Sequence, residues 1–490
     1  MRCTSLPEEW KKARIFTACA VVFLLVSTLC GASILFSMVM LLWSGLLIYT
    51  FHDLSNRAAY LVFLLAFFLF LLGGEFFELY FGYPQEFNFD SKLDIHAYIV
   101  LLVSLVFLQV GFCGAEFVLG KKKLAEPKLR KLCEPVNFQQ FQQVIKIFMY
   151  ITVVAFFAKT VDAGLYTMEH GYLSYYTEYH SRLPYLVDTV SELFTMFFFL
   201  YLATFPPKKD CLIPMGLYLV HGGLAMMTGR RISLGIAILV LMFYVLIRHG
   251  RNKEEKWINW KLVAAVVILC PALILVLHMH RYLRYGEAVE GAGILDIAIS
   301  FLSQQGSSIN ILKLQKELEG DSLGCTSLYY TIHYLRSSVL TRGFFDFPLE
   351  YYAERTVETA LHTNCLADYI MYKVNANNFF MGYGLGTSYI AELNHDLGLV
   401  GVGLGSMIYG FLLNWLYSPK HFSYWKLALG MMMLEEFVIM PRYGADVILR
   451  PYYNLTKMMV LICIIVLAGP LKDKIIKIRD MLERSRKNAS

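Results

Sequence analysis

Apolar segments of about the length that a helix needs to cross a lipid bilayer recur along most of the chain. They lie roughly at residues 15–30, 33–51, 58–76, 96–118, 143–161, 187–205, 212–228, 232–248, 262–279, 398–416, 424–440 and 452–470. This pattern predicts an all-α polytopic membrane protein with about twelve transmembrane helices. An even number of spans would place both termini on the same side of the membrane.

The composition supports this class. The 490-residue chain is 57% hydrophobic and 17% charged, far from the average of soluble domains. A net charge of +6 raises nucleic acid as a partner, but the lysines and arginines fall in short runs beside the apolar segments. Such runs set the orientation of a membrane protein. The charge therefore indicates topology, and we expect no nucleic-acid partner.

The distribution of basic residues predicts that both termini are cytoplasmic. Basic residues precede the first span, cluster between residues 121 and 131, and return in the tail, whereas the connections around residues 75–90 and 166–185 are acidic or aromatic. Lysine and arginine are enriched on the cytoplasmic side, so the basic connections mark the inside. The amino-terminal segment is interpreted as a signal anchor.

This topology divides the chain into four parts. We predict transmembrane helices 1–9 in residues 1–279, a large extracytoplasmic loop in 280–386, transmembrane helices 10–12 with a polar motif in 387–470, and a basic cytoplasmic tail in 471–490. In the loop, Gly293 to Leu302 has the pattern of an amphipathic helix that could lie on the membrane, and Ser307 to Leu318 that of a short helix. Residues 329–372 mix aromatic and charged side chains, which suits sugar binding and equally suits packing on a membrane domain.

A polar motif stands at the start of the tenth predicted span. Between Thr387 and Leu397, the side chains of Tyr389, Glu392, Asn394 and His395 follow one another at helical spacing, and a glycine-rich apolar run comes next. Gly401 and Gly405 in that run have the small-x-x-x-small spacing typical of close helix packing. The motif therefore places polar groups at the mouth of a membrane helix.

The same motif resembles the signature of the bacterial O-antigen or oligosaccharide repeat-unit polymerases, the Wzy-type family. The matching residues are Gly386, Ser388, Tyr389, Ile390, Ala391, Glu392, Gly398 and Gly401. The related O-antigen ligases usually have a His-Asn pair where this chain has Thr387 and Ser388, so the resemblance favours a polymerase. It also implies a type C glycosyltransferase-like fold.

The resemblance implies an enzyme of the bacterial cytoplasmic (inner) membrane with its active site on the extracytoplasmic side. Such a polymerase transfers a glycan from a polyprenyl-diphosphate-linked oligosaccharide to an acceptor sugar hydroxyl, and makes O antigen, capsule or exopolysaccharide. We expect an inverting reaction without metal or cofactor, with the lipid bilayer, a chain-length regulator and a flippase as further partners. The alternatives are an O-antigen ligase and a flippase or transporter of lipid-linked oligosaccharide.

Arginines at the predicted outer ends of the helices are the candidate ligands of the diphosphate. They are Arg230, Arg231, Arg281, Arg284, Arg442 and Arg450. A guanidinium binds phosphate oxygens bidentately and keeps its charge in a cleft, but it can equally pair with a carboxylate such as Glu435 or Asp446. Both interpretations stay open for each arginine.

The acceptor hydroxyl needs a general base, and the polar motif offers candidates. Glu392 is the first and His395 the second, while Tyr389 and Asn394 complete the predicted substrate-binding set. His221, within the seventh predicted span, is interpreted as a hydrogen-bonded interior histidine. These assignments make Glu392 and Arg442 the residues on which the hypothesis depends most.

Overall fold

The computed structural model of the chain describes residues 33–83, 85, 87–121, 138–171, 174–175, 178–228, 232–251, 255, 257–258, 294–319, 323–337, 355–417 and 424–468. Within these residues the regular secondary structure is helical. The first group of helices is α1 (Ile34–Phe51), α2 (Ala58–Phe67), α3 (Gly73–Phe81), α4 (Ser91–Lys121), α5 (Phe138–His170), α6 (Tyr185–Ser191), α7 (Phe194–Ala203), α8 (Lys208–Leu224) and α9 (Ile232–Arg251). A π-helical turn at Phe68–Leu72 joins α2 to α3.

The second group follows residue 293. Its helices are α10 (Ile294–Gln305), α11 (Ile309–Glu317), α12 (Tyr329–Ser337), α13 (Val357–His362), α14 (Leu366–Val374), α15 (Ala376–Phe380), α16 (Tyr389–Tyr417), α17 (Tyr424–Ile439), α18 (Arg450–Tyr453) and α19 (Leu455–Ala468). Short 3₁₀ turns at Met440–Arg442 and Ala445–Leu449 join α17 to α18.

Eight helices in the described residues are long and apolar enough to cross a membrane. A ninth candidate is a pair, Ala445–Tyr453 and Leu455–Ala468, bent by 65° at the break between them. The predicted spans at 15–30 and 262–279 lie outside the described residues, and α17 has only 16 residues. The polytopic helical class is confirmed, and the count of twelve spans remains a prediction.

The fold is centred on α16 and α4, which cross at very short distance. A Cβ atom placed on Gly111 of α4 would lie 1.9 Å from the carbonyl oxygen of Met407, and one on Gly410 of α16 would lie 1.9 Å from the carbonyl oxygen of Leu108. Near this crossing the hydroxyl of Ser104 hydrogen-bonds Ser406 Oγ at 2.9 Å. Two glycines facing the opposite backbone let the helices approach this closely.

A break at Gly398 divides α16 into a short polar part and a long apolar part. Gly398 has φ +59° and ψ −151°, a conformation essentially restricted to glycine. The glycines after the break accommodate the first part of the same helix, since a Cβ on Gly401 would meet the carbonyl oxygen of Leu393 at 2.5 Å. A Cβ on Gly405 would meet Leu393 Cδ1 at 2.4 Å. The small-x-x-x-small pair therefore packs against its own bent helix, and Gly410 makes the contact between helices.

The first described part of residues 280–386, the predicted extracytoplasmic loop that we call the outer segment, is helical and packs into the bundle. The predicted helix at 307–318 corresponds to α11, whose residues Ile309–Gln315 are all buried. The predicted amphipathic helix corresponds to α10, which packs against α3. Where the two segments cross, a Cβ on Gly306 would lie 1.9 Å from the backbone nitrogen of Gly74. Residues 294–317 therefore belong to the helical core.

A buried lysine holds α11 in place. Lys313 Nζ donates to Glu75 Oε1 and lies 2.7 Å from Asp94 Oδ1, and the hydroxyl of Tyr98 donates to Glu75 Oε2 at 2.6 Å. Burial disfavours the charged ammonium, but the two carboxylates outweigh it and raise the pKa of Lys313 above its usual value. The ion pair thus connects the outer segment to α3 and α4 within the protein interior.

Candidate functional site

The carboxylate of Glu392 connects the start of α16 to the turn that follows α17. The side chain is buried, with 2% of its surface exposed. Its Oε1 accepts a hydrogen bond from Thr387 Oγ1 at 3.1 Å, and its Oε2 accepts one from the backbone N–H of Ala445 at 2.7 Å. A Cβ on Gly444 would lie 2.8 Å from Glu392 Oε2, so a glycine is needed for this approach. Glu392 is therefore enclosed by protein groups on both oxygens.

Asp396, one turn further along α16, accepts hydrogen bonds from the two residues that lie just before α12. Its Oδ1 accepts from the backbone N–H and the hydroxyl of Thr326 at 2.9 and 2.8 Å, and its Oδ2 accepts from those of Ser327 at 2.9 and 2.6 Å. His395 Nδ1 lies 3.0 Å from Asp396 Oδ1. Asp396, beside the predicted motif residue His395, thus anchors a part of the outer segment.

Asn394 and Tyr389 have partners in other helices. Asn394 Nδ2 donates to Gln315 Oε1 of α11 at 2.7 Å and lies 3.3 Å from His96 Nε2 of α4. The hydroxyl of Tyr389 hydrogen-bonds Ser104 Oγ at 2.8 Å, and the side chain is fully buried. Both residues hold helices together in the structure, and their predicted contact with substrate remains a prediction.

Two of the six candidate arginines lie in the described residues. Arg442 is half-buried after α17, and its Nη1 donates to Gln305 Oε1 of α10 at 3.3 Å. Arg450 makes a bidentate pair with Glu436, with Nη2 at 2.9 Å from Oε1 and 2.8 Å from Oε2. Even so, 47% of the Arg450 side chain is exposed. Arg230, Arg231, Arg281 and Arg284 lie outside the described residues.

A cavity opens between α8, α9 and α17. Its volume is about 180 Å³. The charged or titratable side chains in its wall are Tyr218, His221, Glu435, Glu436 and Arg450. The hydroxyl of Tyr218 donates to Glu435 Oε1. We call this space the carboxylate cavity.

A second cavity of about 260 Å³ lies between α5, α8 and the aromatic connection around residues 166–185, which we call the outer aromatic segment. Lys159, Tyr175 and Tyr179 are in its wall, and Lys159 Nζ is paired with Asp188 at 3.0 Å and Glu192 at 2.7 Å. We call it the tyrosine cavity. The two cavities form neighbouring parts of one cleft, because they share four lining residues, namely Phe156, Thr195, His221 and Ser233.

The cleft lies at the end of the bundle that the basic-residue pattern predicts to be extracytoplasmic. Thr228 and Ser233, which line it, stand on either side of the connection at 229–231, and Ile439, which also lines it, is three residues before Arg442. In the part of the chain that the structure describes, no three His, Cys, Asp or Glu side chains form a group that could hold a metal ion.

Comparison with known families identifies the chain. A family model described as O-antigen polysaccharide polymerase Wzy matches residues 13–474. The chain belongs to this family. The resemblance inferred from eight residues of the polar motif therefore extends over nearly the whole sequence. Comparisons with curated proteins and with solved structures returned no match.

Membership of the Wzy family establishes an O-antigen polymerase role in general terms, acting on lipid-linked oligosaccharide in the membrane. The cleft was not anticipated as a whole from the sequence. From the sequence, Glu435 is interpreted only as a possible ion-pair partner for an arginine, and His221 only as a hydrogen-bonded interior histidine. The signal that could have found them is that ionisable residues inside predicted spans mark functional sites by default.

Asp396→Asn is expected to loosen the contact between α16 and the start of α12. An amide has one acceptor oxygen, and its NH₂ group would face two of the donors that the carboxylate now accepts. Hydrogen bonds to a charged group contribute about 1.5–3 kcal/mol each, so amide hydrogen exchange in residues 323–337 should rise by at least about tenfold. Exchange measured by mass spectrometry in detergent tests this.

The matched control is Glu178→Gln, which changes an exposed carboxylate in the outer aromatic segment. It should leave exchange in residues 323–337 at the wild-type rate. Unchanged exchange in Asp396→Asn would show that the four hydrogen bonds do not anchor this segment.

Proposed function

We propose that this Wzy-family chain polymerises lipid-linked oligosaccharide repeat units at the outer face of the membrane. The donor is a glycan on polyprenyl diphosphate, and the acceptor is a sugar hydroxyl of a second lipid-linked unit. The reaction inverts the anomeric carbon and uses no metal. The observation that carries this proposal is the cleft, which combines carboxylates, a guanidinium and tyrosine hydroxyls at the predicted outer end of the bundle.

Arginines in and near the cleft support a diphosphate leaving group. Negative charge develops on the phosphate oxygens as the bond to the sugar breaks, and preorganised cations stabilise that charge best where water is scarce. Arg450 lines the carboxylate cavity, and Arg442 follows Ile439, another residue of its wall, by three positions in the sequence. Arg230 and Arg231 belong to the connection whose two flanking residues line the cleft, and Arg281 and Arg284 are kept as further candidates.

The tyrosine cavity supports a sugar-binding role. Aromatic rings pack against the apolar face of a pyranose, and hydroxyl and charged groups bond its hydroxyls. The hydroxyl of Tyr179 donates to Asp162 Oδ2 at 2.7 Å, which fixes the ring at the cavity wall. A cavity of this kind beside the guanidinium of Arg450 matches a substrate with a sugar at one end and a diphosphate at the other.

Glu392 and His395 remain the candidates for general base that the motif predicts. Both lie on the polar part of α16, and His395 is partly exposed, with 19% of its side chain accessible. Each is engaged with protein groups as described above, so substrate binding would have to displace a hydrogen bond at either residue. A chain-length regulator and a flippase are proposed as partners on family grounds.

The proposed function predicts that the purified protein in lipid lengthens a short polyprenyl-diphosphate oligosaccharide into a ladder on a gel, without nucleotide or added metal. Arg442→Ala should slow this turnover by about 100-fold, because removing one group that stabilises the charge of the transition state typically lowers the rate by about that factor. Lys373→Ala is the control, because Lys373 is an exposed cation of the outer segment that lines neither cavity.

Two results would contradict the proposal. Substrate that crosses the membrane of a sealed vesicle without being lengthened would make the chain a carrier. Transfer of a single finished glycan to another lipid, with no ladder, would make it a ligase. An Arg442→Ala variant that folds and keeps full turnover would remove that arginine from the site.

A further inference from the structure

We propose that Glu435 is the residue that accepts the proton of the acceptor hydroxyl. This inference rests on the proposed polymerase function and departs from the motif, which points to Glu392. A general base has to reach the hydroxyl at hydrogen-bond distance, so it must border a space that holds the sugar. The carboxylates of the described structure can be compared on that requirement.

Glu392 lines neither cavity of the cleft. With 2% exposure and both oxygens bonded to Thr387 and Ala445, it holds the connection after α17 against α16. A group placed this way supports the site by positioning Arg442 and its neighbours. A hydroxyl bound in either cavity of the cleft would therefore not meet Glu392.

Glu435 does line the carboxylate cavity and is partly exposed there. Within the described residues its single hydrogen bond comes from the hydroxyl of Tyr218, at Oε1, which leaves Oε2 available to a hydroxyl in the cavity. The neighbouring Glu436 is different, because its two oxygens are held by Arg450 and 7% of its surface is exposed. Two adjacent glutamates thus have two environments, one paired with a cation and one facing open space.

The position of Arg450 completes the arrangement. Its guanidinium is held by Glu436 at the wall of the same cavity, with 47% of the side chain exposed, so it can face a diphosphate while Glu435 faces the acceptor. Glu436 then acts as a positioning residue for Arg450. The tyrosine cavity, which has the volume of a sugar, shares His221 and three other wall residues with the carboxylate cavity. It therefore lies next to both Glu435 and Arg450.

The transfer step follows from this geometry. The acceptor oxygen attacks the anomeric carbon of the donor glycan and forms the new glycosidic bond, while its proton passes to the Glu435 carboxylate. The bond from the anomeric carbon to the phosphate oxygen breaks, and its electron pair leaves with the polyprenyl diphosphate. Attack from the face opposite the leaving group inverts the anomeric carbon.

The test compares carboxylate variants in the glycan-lengthening assay. Glu435→Gln preserves size and can still accept from Tyr218, but it cannot take a proton, so turnover should fall by about 10²- to 10⁴-fold, the usual contribution of general base catalysis. Glu435→Ala should lose at least as much and should regain part of its turnover when formate is added, because formate can occupy the space of the missing carboxylate. A structural role alone would give no formate response.

The controls separate folding from chemistry. Glu317→Gln, an exposed carboxylate on α11, should keep wild-type turnover, and each variant should elute as the wild type does in size exclusion. Full turnover in Glu435→Gln would overturn the inference about Glu435 but not the proposed function. The same holds if folded Glu435→Ala loses turnover and formate restores none of it. A wild-type protein that lengthens no glycan would overturn the proposed function, and the inference with it.

Discussion

Gly111→Ala is expected to destabilise the protein strongly, although glycine to alanine is a small change. The new methyl carbon would stand 1.9 Å from the carbonyl oxygen of Met407, and also within 3 Å of that residue's carbonyl carbon and Cα. These are backbone atoms of α16, which cannot rotate away as a flexible side chain would. The helices must therefore separate at their closest point, which displaces the polar start of α16.

The expected cost is about 3 kcal/mol, the upper end of the range for overpacking a well-packed core. It should appear as a lower midpoint of thermal unfolding in detergent, followed by fluorescence-detected size exclusion. Gly114→Ala, one turn further along the same helix, is the matched control, because nothing lies within 4 Å of the position of its Cβ. Alanine also favours the helix more than glycine does, so this control should be neutral or slightly stabilising.

Equal midpoints for the two alanine variants would show that α4 and α16 are not in contact at Gly111. The reciprocal change, Gly410→Ala, meets the backbone of Leu108 from the other side. It should reproduce the Gly111→Ala result if the two glycines belong to one crossing point.

Lys313→Met is expected to destabilise the protein at least as much as Gly111→Ala does. Methionine keeps much of the length of the side chain but leaves the carboxylate of Glu75, itself buried, without its cation. Removing one partner of a buried ion pair typically costs about 3–5 kcal/mol, because the remaining charge is left uncompensated. Thermal unfolding should detect this loss, and hydrogen exchange should locate it in α10 and α11.

The pH dependence of this contribution has a definite sign. Because the pKa of Lys313 is raised in the folded protein, the ion pair stabilises fully below the pKa of an unfolded lysine, and the stabilisation is lost only as the pH rises through the folded value. The difference between wild type and Lys313→Met should therefore be complete at neutral pH and shrink at strongly alkaline pH.

Lys316→Met is the control for Lys313→Met, since Lys316 is on the same helix and makes a surface pair with Glu319. Surface pairs contribute at most about 1 kcal/mol, so this variant should unfold close to the wild type. If both lysine variants unfolded at the wild-type temperature, the buried ion pair would not hold α11 in the bundle.

Local patterns in the sequence predicted several elements closely. The span predicted at 33–51 is observed as Ile34–Phe51, and the short helix predicted at 307–318 as Ile309–Glu317. Hydropathy and helical periodicity are properties of neighbouring residues, so they can be evaluated without knowing the fold. The same patterns could not show that Ile309–Glu317 is buried, because Glu75 and Asp94, the partners of Lys313, lie more than 200 residues away in sequence.

The polar motif shows the same division between local and distant information. Helical spacing correctly placed Tyr389, Glu392, Asn394 and His395 on one helix. Tyr389 binds Ser104, Glu392 binds the backbone of Ala445, and Asn394 binds Gln315, and all three partners lie outside α16. His395 contacts Asp396, whose side chain binds the outer segment. No spacing rule within the motif could name them.

By itself, the sequence determined that the chain is a polytopic helical membrane protein, and the residues of its polar motif indicated the polymerase family. Both conclusions depend on short-range patterns, namely apolar runs as long as a bilayer is thick and a signature within one segment. Only the tertiary structure decided which ionisable side chains face a cavity. Glu435 and Tyr218 are 217 residues apart, and they meet because α8 and α17 both pack against α9. Packing, which depends on all the helices at once, enclosed Glu392 and left Glu435 facing the cleft.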